Sequence, residues 1–155
     1  MATISICRVD QCTGCAACHN ICPEDCIQMV PDAEGFLYPE IDRQGCTECG
    51  ACINICPSMY TREPERPINP KVYAAWNRDP EIRFYSSSGG VFSALAEQVL
   101  DQGGVVFGAA FDENMKVKHV AVKNKADLYK LRGSKYVQSD VGMAYRIIRD
   151  LIKED

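Results

Sequence analysis

A twelve-residue stretch returns thirty-four positions on with nine of its residues unchanged. Cys12-Thr13-Gly14-Cys15-Ala16-Ala17-Cys18-His19-Asn20-Ile21-Cys22-Pro23 returns as Cys46-Thr47-Glu48-Cys49-Gly50-Ala51-Cys52-Ile53-Asn54-Ile55-Cys56-Pro57. Cysteines, prolines, Thr, Ala, Asn and Ile recur in register. All ten cysteines fall at positions 7 to 56, and none follows. Repetition of this kind points to a pseudo-two-fold unit built from two similar halves. A disulfide scaffold would need an exported chain. The N-terminus Met1-Ala2-Thr3-Ile4-Ser5-Ile6 has neither a basic segment nor a long apolar core, so no secretory signal is read and a cytoplasmic protein is expected.

The motif C-x2-C-x2-C-x3-C-P occurs twice, and this spacing is a bacterial ferredoxin signature. Three thiolates on a tight loop can wrap one face of a cubane. The fourth, held in the helical turn beyond, points away toward the other cluster. The first [4Fe–4S] cluster is therefore expected on Cys12, Cys15, Cys18 and Cys56, and the second on Cys46, Cys49, Cys52 and Cys22. Pro23 and Pro57 restrict the residue before them and help turn the chain. A four-thiolate zinc site draws its ligands from two C-x2-C pairs. It has no need of a third Cys at +6, a fourth at +10 and a Pro behind it, twice over. Cys15-Ala16-Ala17-Cys18-His19 also satisfies the c-type haem pattern, but haem attachment would take two ligands from a complete cluster motif. His19 is read as exposed or as supporting the cluster region. Cys7 and Cys26 lie outside the motif and are read as small buried fillers.

Residues 61–70 carry three prolines and almost nothing apolar, which reads as a stiff linker closing a cysteine domain at 1–60. Beyond it the pattern is α/β. Val72–Trp76 is a short strand candidate. Val91, Phe92, Leu95, Ala96, Val99 and Leu100 recur with helical period, with Ser88 as expected N-cap and Gly103 just past the end. Val105–Phe111 and Val117–Val122, around a turn at Asp112–Asn114, suggest a hairpin. Short helices are expected at Lys125–Leu131 and Gly142–Lys153. These strands are too few for a complete doubly wound sheet, so 71–155 is expected to be the first part of a longer domain.

Charge is uneven. Residues 1–65 hold 3 basic and 10 acidic side chains, a net of −7, and residues 66–155 hold 14 basic and 11 acidic, a net of +3. An acidic cysteine half argues against nucleic acid, whose phosphates need Lys and Arg. It suits either docking on a basic redox partner or plain solubility. No run is apolar enough to span a bilayer. No Ser/His/Asp or paired-carboxylate pattern stands out, so no hydrolytic chemistry is expected.

Ser86-Ser87-Ser88-Gly89-Gly90 precedes the predicted helix, where backbone N–H groups can meet a phosphate; the other reading is an ordinary Ser cap before a glycine turn. Gly133-Ser134-Lys135-Tyr136 offers a hydroxyl, an ammonium and a ring, either toward a cofactor or on a surface loop. With Asp32–Asp42, Ser-Ser-Gly-Gly-Val-Phe-Ser-Ala-Leu and Gly-Ser-Lys-Tyr-Val-Gln-Ser, the chain resembles the coenzyme F420 hydrogenase/dehydrogenase beta-subunit family, behind a two-cluster ferredoxin-type segment. The resemblance implies an iron–sulfur segment feeding a flavin domain, FAD or FMN in the full-length protein, with Ser88, Gly89, Gly90, Gly133, Ser134, Lys135 and Tyr136 as flavin contacts. It implies exchange with a redox protein or a flavin- or F420-type carrier. The expected whole is an α+β ferredoxin-like domain with two [4Fe–4S] clusters followed by a partial α/β domain. It would be the electron-transfer module of a flavin-linked oxidoreductase, with no catalytic side chain in the segment itself. The rival is a self-contained ferredoxin-like carrier whose second domain only docks.

Overall fold

The computed structural model describes residues 5–59 and 69–154. Most of the expected linker at 61–70 lies outside the described residues. The helices are α1 (Ala17–Ile21), α2 (Ala51–Asn54), α3 (Pro80–Phe84), α4 (Val91–Asp101) and α5 (Ala144–Glu154). The strands are β1 (Ile27–Pro31), β2 (Leu37–Ile41), β3 (Val106–Phe111) and β4 (Val117–Val122). Short 3-10 helices span Val9–Gln11 and Lys125–Leu131. The chain divides into two units, Met1–Pro64 with Val141–Asp155, and Glu65–Asp140.

In the first unit β1 and β2 pair antiparallel, Ile27 opposite Ile41 and Pro31 opposite Leu37. Their connection is closed by Asp32, whose Oδ1 accepts the N–H groups of Glu34 and Phe36, each at 2.9 Å. This Asx turn explains why the chain reverses there. The core beneath is unusual in content. Ile6 and Ile27 are buried together with Cys18, Cys22, Cys26, Cys52 and Cys56, and Met29, Ile41 and Ile53 pack against them. Helices as short as α1 and α2 have no stability of their own. They stand because each carries the third cysteine of its repeat, Cys18 or Cys52, into this core. The last helix, assigned from the sequence to the 71–155 segment, belongs to this unit, with Ala144 buried.

In the second unit β3 and β4 form the expected hairpin, from Val106 opposite Val122 to Phe111 opposite Val117. Its loop repeats the solution at Asp32: Asp112 Oδ1 accepts Asn114 N–H and Lys116 N–H at 2.9 Å each. Ala96 of α4, Ala110 and Val122 of the hairpin, and Leu128 and Leu131 of the 3-10 helix make the core. Asp79 caps α3 by accepting from Glu81 N–H and Ile82 N–H, with Pro80 at the first helical position.

Several expectations are corrected here. Val72–Trp76 is not a strand: the segment pairs with no strand among the described residues, and Val72, Tyr73 and Trp76 are exposed. Its β-branched and aromatic content meets no sheet edge. The secondary structure is mixed helix with two small antiparallel hairpins, and the described residues 71–154 form no parallel sheet of the α/β kind. Ser88 does not cap α4. The N-cap is Gly90, left-handed at φ 75°, with no side-chain cap. At the other end Gly103 stands at φ 81°, its N–H reaching Leu100 O and that of Gly104 reaching Val99 O. That pair of bonds is a Schellman closure. Only Ser93 and Ala96 of α4 are buried, and Val91, Phe92, Leu95 and Val99 remain exposed.

Candidate metal centres and a second cavity

The sequence repeat is also a repeat of backbone conformation. Gly14 and its counterpart Glu48 are left-handed at φ 65° and 55°, and Ala16 and its counterpart Gly50 at φ 58° and 75°. Left-handed residues between right-handed ones turn successive N–H groups inward and make anion-binding concavities. Each repeat uses one glycine and one strained residue for its two turns, so glycine position alone does not reveal the shared geometry.

These loops wall two cavities in the first unit. One has an atom-free space of ≈ 320 Å³, mouth included, and is lined by Cys12, Cys15, Cys18 and Cys56 with Cys7. The other, of ≈ 340 Å³, is lined by Cys46, Cys49, Cys52 and Cys22 with Cys26. Each cavity gathers three thiols from one repeat and the fourth from the other. The thiols stand around the walls, and among the described residues no three His, Cys, Asp or Glu side chains close on a point for a single ion. A ring of soft sulfur donors around an open space, lined with inward N–H groups, suits a polynuclear cluster carrying negative charge.

The thiols differ in electrostatics. Burial pushes Cys18 up to about 11, against opposing hydrogen bonds from the N–H groups of His19 and of Cys18 itself. Cys52 is raised by burial in the same way, opposed by Ile53 N–H and its own N–H. The two repeats thus aim equivalent backbone donors at equivalent sulfurs. At Cys22 burial also acts upward, but hydrogen bonds from Cys26 Sγ and from the N–H groups of Cys26 and Glu24 outweigh it and the thiol is lowered.

Cys26 is buried in the core, as its reading as a small buried filler expects, and Cys7 packs against that core half-buried. Cys26 Sγ lies 3.4 Å from that of Cys22. Burial first and the neighbouring Cys22 second push it up to about 12. Cys7 is likewise driven to about 12, by burial and then by Cys56. His19 is half-buried, its Nδ1 at 2.5 Å from Ile27 O, which ties α1 to β1.

The second unit carries a cavity of ≈ 740 Å³ of atom-free space, mouth included. Its walls include Ser86 to Gly90, the first turn of α4 at Val91 and Phe92, and Leu131 to Ser134. Ser88, Gly89, Gly90, Gly133 and Ser134 therefore come together from two distant segments. Lys135 and Tyr136 are not among the lining. Lys135 Nζ donates to Lys130 O at 3.2 Å and Arg132 O at 2.9 Å, closing the end of the 3-10 helix. Tyr136 is 94% exposed. Gly89 is there because nothing larger fits: a Cβ would lie 2.5 Å from Ala75 O and 3.2 Å from Trp76 Cα. Sequence reasoning missed Arg132, which lines this cavity and donates from Nε to the fully buried Ser93 Oγ at 3.0 Å. Its position directly before Gly133 was the available signal.

Residues 11–59 match the family model described as 4Fe-4S dicluster domain. Residues 72–145 match the one described as Coenzyme F420 hydrogenase/dehydrogenase, beta subunit N-term. Both matches fall on the segments whose motifs carry the resemblance. No curated protein matches the chain. Among the described residues no helix is long and apolar enough to cross a membrane.

Proposed function

We propose, for a chain that joins a segment similar to a dicluster iron–sulfur domain to one similar to the F420 hydrogenase beta-subunit N-terminal domain, that it is the electron-transfer module of a flavin-linked oxidoreductase. The two matches support iron–sulfur electron transfer within an oxidoreductase that meets redox partners. The finer reading adds two [4Fe–4S] clusters, a flavin and a cytoplasmic setting. The observation that carries it is the exchange of fourth cysteines between the two cavities.

On this reading Cys12, Cys15, Cys18 and Cys56 hold one cluster, and Cys46, Cys49, Cys52 and Cys22 the other. Bound clusters supply one-electron chemistry, which side chains cannot. The chain's own work is to present thiolates, direct N–H groups at sulfur and keep water out. Burial of Cys18, Cys22, Cys52 and Cys56 performs the last task. Ligands exchanged in this way would hold two clusters within one unit and keep the path between them short.

The cavity at Ser86–Gly90 is read as the flavin phosphate site. The uncapped start of α4 leaves N–H groups without partners in the helix. Arg132 adds a cation, and Ser88 and Ser134 add hydroxyls. Lys135 acts by holding the loop and not by contact. The carrier reduced or oxidised would be a soluble flavin- or F420-type molecule or a redox protein.

Anaerobic purification followed by iron, sulfide and flavin analysis tests this. About eight Fe per chain, a spectrum bleached reversibly by dithionite, and bound flavin are expected. The same iron without flavin reduces the reading to a self-contained electron carrier. Zinc in place of iron removes it.

A further inference from the structure

The two repeats are alike in sequence and backbone, yet among the described residues only the first has its helix carbonyls held by an arginine side chain. Arg146 of α5 donates from Nε to Asn20 O at 2.6 Å and from Nη2 to the carbonyls of His19 and Cys22. Its Nη1 pairs with Asp25. Its backbone N–H reaches Asn20 Oδ1 at 3.2 Å. Asn20 is buried, and its Nδ2 donates to Ala16 O at 3.0 Å and to Gly142 O at 2.8 Å. The Arg146 side chain is only 19% exposed, whereas Asp25 is 67% exposed. The equivalent stretch of the other repeat is satisfied locally. Ile53 O accepts from Cys56 N–H, Cys56 O accepts from Met59 N–H, and Asn54 is exposed.

We infer that Arg146 is a positioning residue for the thiol set of Cys22, Cys46, Cys49 and Cys52, and that its charge makes the two sets electrically unequal. The inference rests on the ligand sets proposed above. A planar guanidinium can bond three carbonyls and a carboxylate at once, and a lysine ammonium would keep the charge with fewer of those bonds. The guanidinium holds the turn that ends α1, and with it the direction in which Cys22 leaves that turn. A sheltered cation against the carbonyl of a cluster ligand favours the more negative, reduced state of that cluster. Asp25, largely in water, offsets this only in part. A cluster held by Cys22, Cys46, Cys49 and Cys52 would therefore have the higher potential of the two and would be reduced first.

The wild-type chain is loaded first. Fewer than about eight Fe overturns the ligand sets before Arg146 is touched. Redox titration followed by electron paramagnetic resonance is then run on Arg146→Gln, Arg146→Lys and, as a control on the same helix, the exposed Arg149→Gln. Arg146→Gln is expected to lower the higher of the two midpoints and leave the other in place. Arg146→Lys should recover most of that shift, and Arg149→Gln should move neither. Loss of half the iron in Arg146→Gln is the same result in stronger form. The inference is overturned if Arg146→Gln keeps full iron with both midpoints unchanged or equally shifted, or if Arg149→Gln matches it. Where Arg146→Gln loses all iron, Arg146→Lys decides: full iron with midpoints near wild type supports the inference, and loss of all iron or a displaced pair ends it.

Discussion

Cys22 and Cys56 are the residues on which the assignment turns. Each sits at the end of its own repeat but lines the cavity of the other. A swap of this kind has an observable signature. Cys22→Ala is expected to behave like Cys49→Ala, and Cys56→Ala like Cys15→Ala, each losing about half of the iron; iron analysis with resonance spectra of the four variants checks the pairing. If Cys22→Ala resembled Cys15→Ala instead, each repeat would serve its own cluster. The expectation of this exchange came from the C-x3-C-P tail, which carries the fourth thiol away from its own loop. Arg132 and Cys26 were not readable in the same way. Their roles come from contacts 39 residues distant, with Ser93, and from a turn that brings Cys26 back on Cys22. Gly89 lies between these cases: its glycine was noted, but its reason, the backbone of Ala75 and Trp76, is tertiary. Gly89→Ala must push backbone aside, so a loss of about 1–3 kcal/mol is expected in urea unfolding and, on the proposed flavin site, weaker flavin retention.

Two hairpins solve one problem with different residues. Both reverse through an aspartate that accepts two loop N–H groups, and both require a left-handed residue at the fourth loop position, Gly35 at φ 89° and Met115 at φ 61°. Nothing lies within 4 Å of a Cβ built on Gly35, so only its dihedral matters. Gly35→Ala is expected to cost about 1 kcal/mol, whereas Met115→Gly, at an exposed site, should gain about 0.5 kcal/mol; thermal unfolding of both variants measures the contrast. The β3–β4 hairpin was visible in the apolar runs about Asp112–Asn114. The β1–β2 hairpin went unread because Gln28, Pro31, Pro39 and Glu40 break the apolar alternation that signals a strand. Helix α3 carried a plain start signal in Asp79-Pro80 that apolar periodicity did not pick out. The segment at 72–76 shows the reverse failure, a strand-like composition with no neighbour to pair with.

At the scale of the whole first unit, thiols stand where aliphatic side chains would normally form the core. That makes its stability depend on pH and on loading in opposite senses. Burial holds Cys18 up at about 11 and also raises Cys52 above the ordinary 9.0. A thiol raised in the folded state favours folding below its unfolded value and loses that contribution as pH climbs through the folded one. The cluster-free chain is therefore expected to lose thermal stability from about pH 9 to 11. Cluster loading, which needs thiolates, releases protons and becomes more favourable across the same window. Melting curves of the iron-free chain and proton release on reconstitution read the two effects, and a flat melting temperature across that range would count against the first. The exchange of fourth cysteines also sets a clock on biosynthesis. The cavity of Cys22, Cys46, Cys49 and Cys52 lacks a wall until residue 52 has left the ribosome, and that of Cys12, Cys15, Cys18 and Cys56 until residue 58 has, so a nascent chain ending anywhere in the first repeat can complete neither cavity. On the proposed ligand sets, cofactor delivery would be deferred until the duplicated segment exists, and interrupted synthesis would leave bare thiols exposed to oxidation in place of a half-built conductor.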